Sequence, residues 1–559
     1  MKVSKIDLIY SGFILIVSCI LVFDLFLIPG RPASFDGIVH ITNLAQFTHA
    51  LLDGDFPITW LDGFGNYGMP IPLIAHQTTN YLGAVINIFL NNSVLSFNIV
   101  CFIGIFLSGI FYYIFLRLYL QSHYAFLATF LFTLAPYKIL DIYIRADAPE
   151  LFSMIFLPVI LIGMYLWIKR IKIIGLFYIS VSFCLLALTH PIMMVTYAFI
   201  YVPYFLFLVI TSEKSILSKK NFIKIGFIGF AVISGIGMAS YYLLPLNLEI
   251  KYFIQGTYKY FHSGGNYLSL SNYFDWRWYY YTPLDIFPRG HVMQGGLPEI
   301  AGLLFGLGIF IKRLTQGYYK ENKVSILELF VVVAFIIAFF TFSYSDFFYV
   351  HIQVLDRIMF PWRMLSAFIF LPPIIIGLLL EKINSKFFII ILVILVCFLR
   401  FPQLYGKNYT IYPESSYYFT TENLYSNNLN TVWTEQTDNY PVHKLKGEII
   451  SGEGEIISKK VRNSTREYTV DAKTSVRMVD YTFFFPGWHV YVDGQERDIL
   501  FQDPQYRGVI TYTVPKGKHT ILVRYKDTKI RLIGKLLSGF FLISLLSLFV
   551  IKKRIIKML

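Results

Sequence analysis

Val94-Leu95-Ser96-Phe97-Asn98-Ile99-Val100-Cys101-Phe102-Ile103-Gly104-Ile105-Phe106-Leu107-Ser108-Gly109-Ile110-Phe111-Tyr112-Tyr113-Ile114-Phe115-Leu116-Arg117-Leu118 decides the fold. The stretch carries one charge, Arg117, at its far end. About 20 apolar residues of helix cross the hydrocarbon core of a bilayer, so this stretch is long enough to span. Comparable runs near 7–28, 124–140, 150–168, 173–190, 192–212, 223–246, 298–312, 325–345, 363–380, 385–401 and 531–551 bring the candidate spans to twelve. The composition agrees: 56% of the 559 residues are hydrophobic, more than a soluble chain needs to fill its cores, so lipid must cover the excess. The aromatic content of 18% suits long lipid-facing surfaces with amphipathic rings at both interfaces.

The formal charge of +14 would point to nucleic acid in a soluble protein. Here the cations sit mainly in short loops between apolar runs: Lys2 and Lys5, Arg117, Lys169 with Arg170 and Lys172, Lys214 with Lys219 and Lys220, Lys312 with Arg313, Lys320 and Lys323, Lys382 with Lys386, and the tail Lys552, Lys553, Arg554 and Lys557. By the positive-inside rule these loops and both termini are expected in the cytoplasm, and no nucleic-acid partner is expected. The first run is longer than a signal-peptide core and lacks a small-residue cleavage site, so it is expected to stay as a helix. Cys19, Cys101, Cys184 and Cys397 all fall inside apolar runs, which indicates neither a disulfide framework nor a thiolate metal cluster.

The opposite face then receives 29–93, the turn at 141–150, 247–297, 346–362 and 402–530, and function is to be sought there. Three regions follow: a multi-pass region 1–401 with its long first outer loop 29–93, an extracytoplasmic region 402–530, and a final span with basic tail at 531–559. In 402–530 apolar runs give way to alternating strand-like segments such as Tyr468-Thr469-Val470, Arg477-Met478-Val479 and Thr520-Ile521-Leu522-Val523-Arg524-Tyr525, with Asp493-Gly494 and Lys516-Gly517 as turn signals. The reading is a small β-rich domain, a sandwich. The chain as a whole reads as a polytopic α-helical membrane protein of about 12 transmembrane helices, with that β-rich domain before the last helix.

In the first outer loop, Asp36 and His40 lie four apart and share one face of any helix there. Asp36 could take a proton from an acceptor hydroxyl with His40 as its hydrogen-bond partner, or Asp36 could cap a loop helix that His40 anchors. The second constellation is Asp141-Ile142-Tyr143-Ile144-Arg145-Ala146-Asp147-Ala148-Pro149-Glu150. Charges so close to a bilayer are costly unless paired or facing a polar cavity. Arg145 could grip a phosphate while Asp147 and Glu150 hold a divalent metal or fix Arg145; alternatively the group is an ion-pair network around an N-cap before Glu150. Thr189-His190-Pro191, Tyr273-Phe274-Asp275-Trp276-Arg277-Trp278-Tyr279, Arg289-Gly290-His291 and Asp356-Arg357-Ile358-Met359-Phe360-Pro361-Trp362-Arg363 fall on the same face. Arginines beside Trp and Tyr suit a lipid-linked phosphate whose sugar stacks on aromatic rings, although most such rings are ordinary interface residues. No Walker A sequence, His-Glu-x-x-His motif or Gly-x-Ser-x-Gly elbow occurs, which disfavours an ATP-driven pump and a membrane hydrolase of those kinds. Asn408-Tyr409-Thr410 and Asn463-Ser464-Thr465 match the short glycosylation pattern.

Five ordered segments carry a family resemblance: Asp36 to His40; Gly54-Asp55-Phe56-Pro57 with Trp60 and Tyr67-Gly68; Arg145 to Glu150; Pro361-Trp362-Arg363; and Phe485-Pro486-Gly487-Trp488-His489-Val490-Tyr491-Val492-Asp493-Gly494. In these the chain resembles the YfhO-like and 6-pyruvoyl-tetrahydropterin synthase-related bacterial membrane families, which look like family C (GT-C) glycosyltransferases. The resemblance implies a GT-C-like fold and inverting transfer of a sugar from a polyprenyl-phosphate donor to a glycan, lipid or protein acceptor of the cell envelope. It maps the essential acidic residue of the first outer loop onto Asp36 as general base. Members differ in their use of a divalent metal, so Mg or Mn is the candidate cofactor, with Asp147 and Glu150 as ligands or as structural partners. The paired acidic residues of several family C branches are missing from the outer loops between spans, and the one match, Glu496-Arg497-Asp498, lies in the β-rich region.

On this reading Asp36, with His40, activates the acceptor; Arg145 and Arg357 or Arg363 neutralise the departing phosphate; and Trp60, Tyr67, His190, Trp276 and Trp362 contact sugar or lipid. The rival classes are a transporter or flippase for a lipid-linked glycan, which would prefer midplane charges and broken helices repeated in two halves, and a non-catalytic assembly protein.

Overall fold

The decisive stretch forms one unbroken helix, Ser93–Leu116. The Asn92 side chain starts it by accepting from the Leu95 N–H at 2.9 Å, satisfying one of the free amides of the first turn. Its 24 residues run about 36 Å at the standard rise, enough to cross a bilayer. In the computed structural model, residues 4–64, 67–212, 218–254, 266–277, 293–318, 324–418, 430–434, 440 and 446–550 are described. Arg289, Gly290, His291, Trp278, Tyr279 and the tail cations lie outside the described residues.

Each of the twelve expected segments contains a helix, although within 325–345 the helix ends at Phe339. Six helices are long and apolar enough to cross a membrane: Ser93–Leu116, Ala148–Arg170, Pro191–Ile210, Lys219–Met238, Pro361–Ile383 and Lys529–Leu548. Ser122–Thr133 and Pro136–Tyr143 make a seventh if their 43° bend lies within one span. The bend has a local cause: Pro136 donates no hydrogen bond and Ala135 before it is extended, as the residue preceding a proline prefers. Ile174–Thr189, Ile326–Phe339 and Phe387–Gln403 are apolar but shorter. Small residues set the closest helix contacts. A Cβ on Gly163 would stand 2.7 Å from the Gly175 carbonyl, and one on Gly235 2.4 Å from that of Ser180.

The first long loop is itself largely helical. Strand β1 (Arg31–Pro32) pairs with β2 (Tyr409–Thr410) far along the chain, and the helices Gly37–Leu52 and Gln77–Leu90 follow β1. The C-terminal unit contains β3 (Gly447–Ser451), β4 (Gly454–Arg462), β5 (Thr465–Ala472), β6 (Val476–Phe483), β7 (Trp488–Val492), β8 (Gln495–Arg497), β9 (Val509–Val514) and β10 (Gly517–Tyr525). They form a five-stranded sheet ordered β4-β5-β10-β7-β8 and a three-stranded sheet ordered β3-β6-β9, each antiparallel throughout. Alternate residues such as Tyr468 and Val470, and Val490 and Val492, point into a core that both sheets share, the arrangement of a sandwich.

Asp493-Gly494 turns β7 into β8 with both residues at positive φ, the backbone that a two-residue hairpin requires. Lys516-Gly517 has a different task, carrying the chain from β9 in one sheet to β10 in the other. The loop and the sandwich share one apolar core. Phe47, Ile58, Trp60 and Tyr67 pack with Phe483, Trp488 and Tyr525. At the start of the last helix a buried ion pair, Arg531 with Glu249 at 2.9 Å, ties the sandwich's exit to the helix Ser240–Leu248.

Candidate functional site

The backbone brings the two charged constellations together. The Phe35 N–H donates to the Ile144 carbonyl and the Asp36 N–H to that of Arg145, both at 2.9 Å. Between those partners the chain turns sharply, with Ala146 at φ 55° and the Asp147 N–H returning to the Asp141 carbonyl at 3.0 Å. The Asp147 side chain then accepts from the Glu150 N–H at 2.9 Å and opens the helix Ala148–Ser153, with Pro149 in its first turn where a missing N–H costs nothing. Both the ion-pair network and the cap are therefore present.

Arg145 sits at the centre. One terminal nitrogen donates to Asp141 and Glu150, each at 2.6 Å, and to the Tyr137 hydroxyl at 3.2 Å; the other donates to Asp147 at 2.5 Å. Tyr137 donates in turn to the second Glu150 oxygen at 2.6 Å. The guanidinium lies 4.7 Å from the ring of Trp362. So engaged, Arg145 organises carboxylates and is poorly placed to grip a phosphate. Arg363 differs: its terminal nitrogen reaches the Ile358 carbonyl at 3.2 Å, while its buried Nε has no hydrogen-bond partner and stands 3.7 Å from Glu150.

Asp36 occupies the N-cap position of the Gly37–Leu52 helix, but its carboxylate makes no capping bond. It is half-buried. Burial, and then the charge of Asp147, push its carboxyl above the usual range, against the pull of Arg145, His40 and Arg363. Asp147 behaves oppposite to this: burial acts to raise it, yet Arg145 and the neighbouring histidines hold it well below the usual range. His40 places Nε2 4.0 Å from Asp147.

His76 and His190 complete the cluster. Their rings stack at 4.7 Å, with the His40 ring 6.0 Å from that of His76. Burial depresses His76 to about 4, so it is neutral at physiological pH. The Nδ1 atoms of His76 and His190 are both buried without a hydrogen-bond partner. The resemblance makes a divalent cation a candidate, and the donors fit one: ligand atoms of Asp147, Glu150 and His190 lie within 4.8 Å of one another, all buried. Lys138 is turned to the Ser108 hydroxyl (3.0 Å) and the ring of Phe132.

Several expected site residues lie elsewhere. Trp60 and Tyr67 are buried under the sandwich: Trp60 packs on Trp488 and Tyr525 at 5.1 Å, and Tyr67 stacks on Phe483 at 4.7 Å, so neither is open to a sugar. Arg357 is exposed and reaches Asn247 at 3.5 Å, away from the Arg145 cluster. Trp276 is exposed and lines an apolar groove with Phe398 and Phe401, away from the cluster. His190 belongs to the cluster, buried among its ligating groups, and Trp362 forms its aromatic wall. The sequence reading overlooked His76 and the saturation of Arg145. A lone histidine at the head of the Gln77–Leu90 helix carries no local signal, and only tertiary packing sets it against His190.

Helices long and apolar enough to span, enclosing a cluster of buried carboxylates, guanidiniums and imidazoles, define a helical membrane protein with a polar site. The chain belongs to the family described as the 6-pyruvoyl-tetrahydropterin synthase related domain, membrane protein, whose model matches residues 79–409. That stretch includes Arg145 to Glu150, His190 and Arg363; Asp36, His40, His76 and the sandwich lie outside it. No curated protein matches the chain.

Proposed function

We propose that the protein is a GT-C-like glycosyltransferase, akin to the YfhO-like proteins, that moves a sugar from a polyprenyl-phosphate carrier to a cell-envelope acceptor with inversion. The proposal includes twelve spans, cytoplasmic termini and an outward-facing sandwich in a bacterial membrane. One observation carries it: Asp36 presents a half-buried carboxylate with no capping bond beside Arg363, a cation with an unmet donor. Asp36 takes the acceptor hydroxyl's proton as that oxygen bonds to the anomeric carbon and the bond from that carbon to the phosphate oxygen breaks. Arg363 neutralises the leaving polyprenyl phosphate, while Arg145 holds Asp147 and Glu150 in place. A cation held by Asp147, Glu150 and His190 would add positive charge near the leaving phosphate.

The test is transfer of labelled sugar from a panel of polyprenyl-phosphate monosaccharides by wild-type protein and Asp36→Asn in lipid nanodiscs, with folding checked separately. Wild-type transfer that drops at least about a hundredfold in the variant supports the assignment. Undiminished transfer by folded Asp36→Asn removes Asp36 as the base, and absence of transfer with every donor removes the enzyme reading. A flippase is the second reading, favoured by the 43° break between Ser122–Thr133 and Pro136–Tyr143. It predicts donor-lipid movement across proteoliposomes without sugar transfer.

A further inference from the structure

Two features of the polar cluster go beyond its part in sugar transfer. Its carboxylates retain acceptor capacity after every contact to Arg145 is counted. Asp147 accepts from Arg145 on one oxygen and the Glu150 N–H on the other, and Glu150 accepts from Arg145 on one and Tyr137 on the other. An ionised carboxylate offers about four lone-pair sites, so each retains two. The second feature is His190. Its side chain is 2% exposed, its Nδ1 has no partner, and one of its ring nitrogens lies within 4.8 Å of oxygens from both acids. A buried polar atom without a partner is costly, and a bound ligand relieves that cost.

We infer that Asp147, Glu150 and His190 form a site for one divalent cation of the imidazole-accepting class, Zn2+ or Mn2+, in preference to Mg2+ or Ca2+. Mg2+ and Ca2+ favour sites made wholly of oxygen, whereas imidazole suits the transition metals. Bonds of about 2.0–2.2 Å around a tetrahedral ion set donors about 3.4 Å apart, so a pair at the 4.8 Å limit must close by about 1.4 Å. Tyr137 and Arg145 orient Glu150 from outside the ligand set, a role in which a metal site's supporting hydrogen bonds fix its carboxylates. His76 is stacked on the His190 ring and fixes its plane. The inference stands apart from the transferase reading, because metal occupancy is measured without any sugar donor.

The experiment uses the full chain in nanodiscs, stripped with a chelator, reloaded with Zn2+, Mn2+ or Mg2+ and assayed by elemental analysis. The Mn2+ form is also examined by pulsed electron paramagnetic resonance for coupling to an imidazole nitrogen. The expected result is about one Zn2+ or Mn2+ per chain, retained against a hundredfold excess of Mg2+, with a nitrogen coupling in the wild type. His190→Ala should weaken metal binding at least tenfold and abolish that coupling, while His123→Ala, distant in sequence, should change neither. If His190→Ala does not fold, His190→Asn, which keeps a polar side chain but offers no imidazole, is read in its place. Failure to retain metal, parity with Mg2+, a bound ion without nitrogen coupling, or coupling unchanged in folded His190→Ala overturns the inference.

Discussion

The side-chain amide of Asn463 donates to Asp55 at 2.7 Å and to the Trp60 carbonyl at 2.9 Å, joining the sandwich to the loop that carries Asp36. Its carbonyl accepts from the Asp62 N–H at 2.9 Å, and its own N–H reaches Asp53 at 2.6 Å. Asn463→Ala should therefore destabilise the protein by about 3 kcal/mol, since it leaves buried partners unpaired. Hydrogen exchange should quicken first at residues 53–62. The same burial makes Asn463 a poor glycan acceptor in the folded protein, despite its Asn-Ser-Thr pattern, whereas Asn408 is exposed.

Arg145→Gln should cost about 3–5 kcal/mol, because Asp141, Asp147 and Glu150 would lose the cation that compensates them in a buried setting. Thermal unfolding in nanodiscs measures the loss. Arg145→Lys should recover only part of it, since an ammonium cannot reproduce the guanidinium's planar fork or its stacking on Trp362.

Arg363→Gln should behave differently. It would lose one bond to the Ile358 carbonyl and a 3.7 Å approach to Glu150, so stability should fall by about 1–2 kcal/mol, less than for Arg145→Gln. Under the proposed function, kcat/KM for sugar transfer should fall about a hundredfold, a charge-stabilisation loss. A fall in stability comparable to that of Arg145→Gln would make Arg363 structural.

At the β7–β8 hairpin, His519 Nδ1 lies 2.6 Å from Asp493, whose other oxygen accepts from the Thr520 N–H at 2.8 Å. The hydrogen bond that His519 donates to Asp493 raises His519 above its ordinary 6.5, and the same bond lowers Asp493 below 3.8. The contribution of His519 is complete below 6.5 and fades as pH rises through its raised folded value; that of Asp493 is complete above 3.8 and fades as pH falls through its lowered one. The hairpin is thus held best between those limits. Histidine NMR titration should place His519 above 6.5 in the wild type and return it toward 6.5 in Asp493→Asn.

The helices and strands could be read from local pattern. Val94 to Leu118 leaves no choice but an apolar helix, and Tyr468, Val470, Ile521 and Val523 alternate as half-buried strands must. What the chain alone could not show is pairing across long separations. Trp60 looks like an interface ring until Trp488 and Tyr525, more than four hundred residues on, are placed against it. Arg145 looks like a phosphate grip until its neighbours are seen to occupy its donors, and Asp36 reads equally as a base or a cap until its carboxylate is seen to make no capping bond.

The pair of backbone bonds that tie Phe35 to Ile144 and Asp36 to Arg145 fixes a spacing inside the protein. The acidic side chain and the guanidinium cluster are separated by main chain, whose geometry no side-chain substitution resets. The two bonds hold Asp36 at one distance from the carboxylates that Arg145 gathers, so the loop and the turn can move only as one piece.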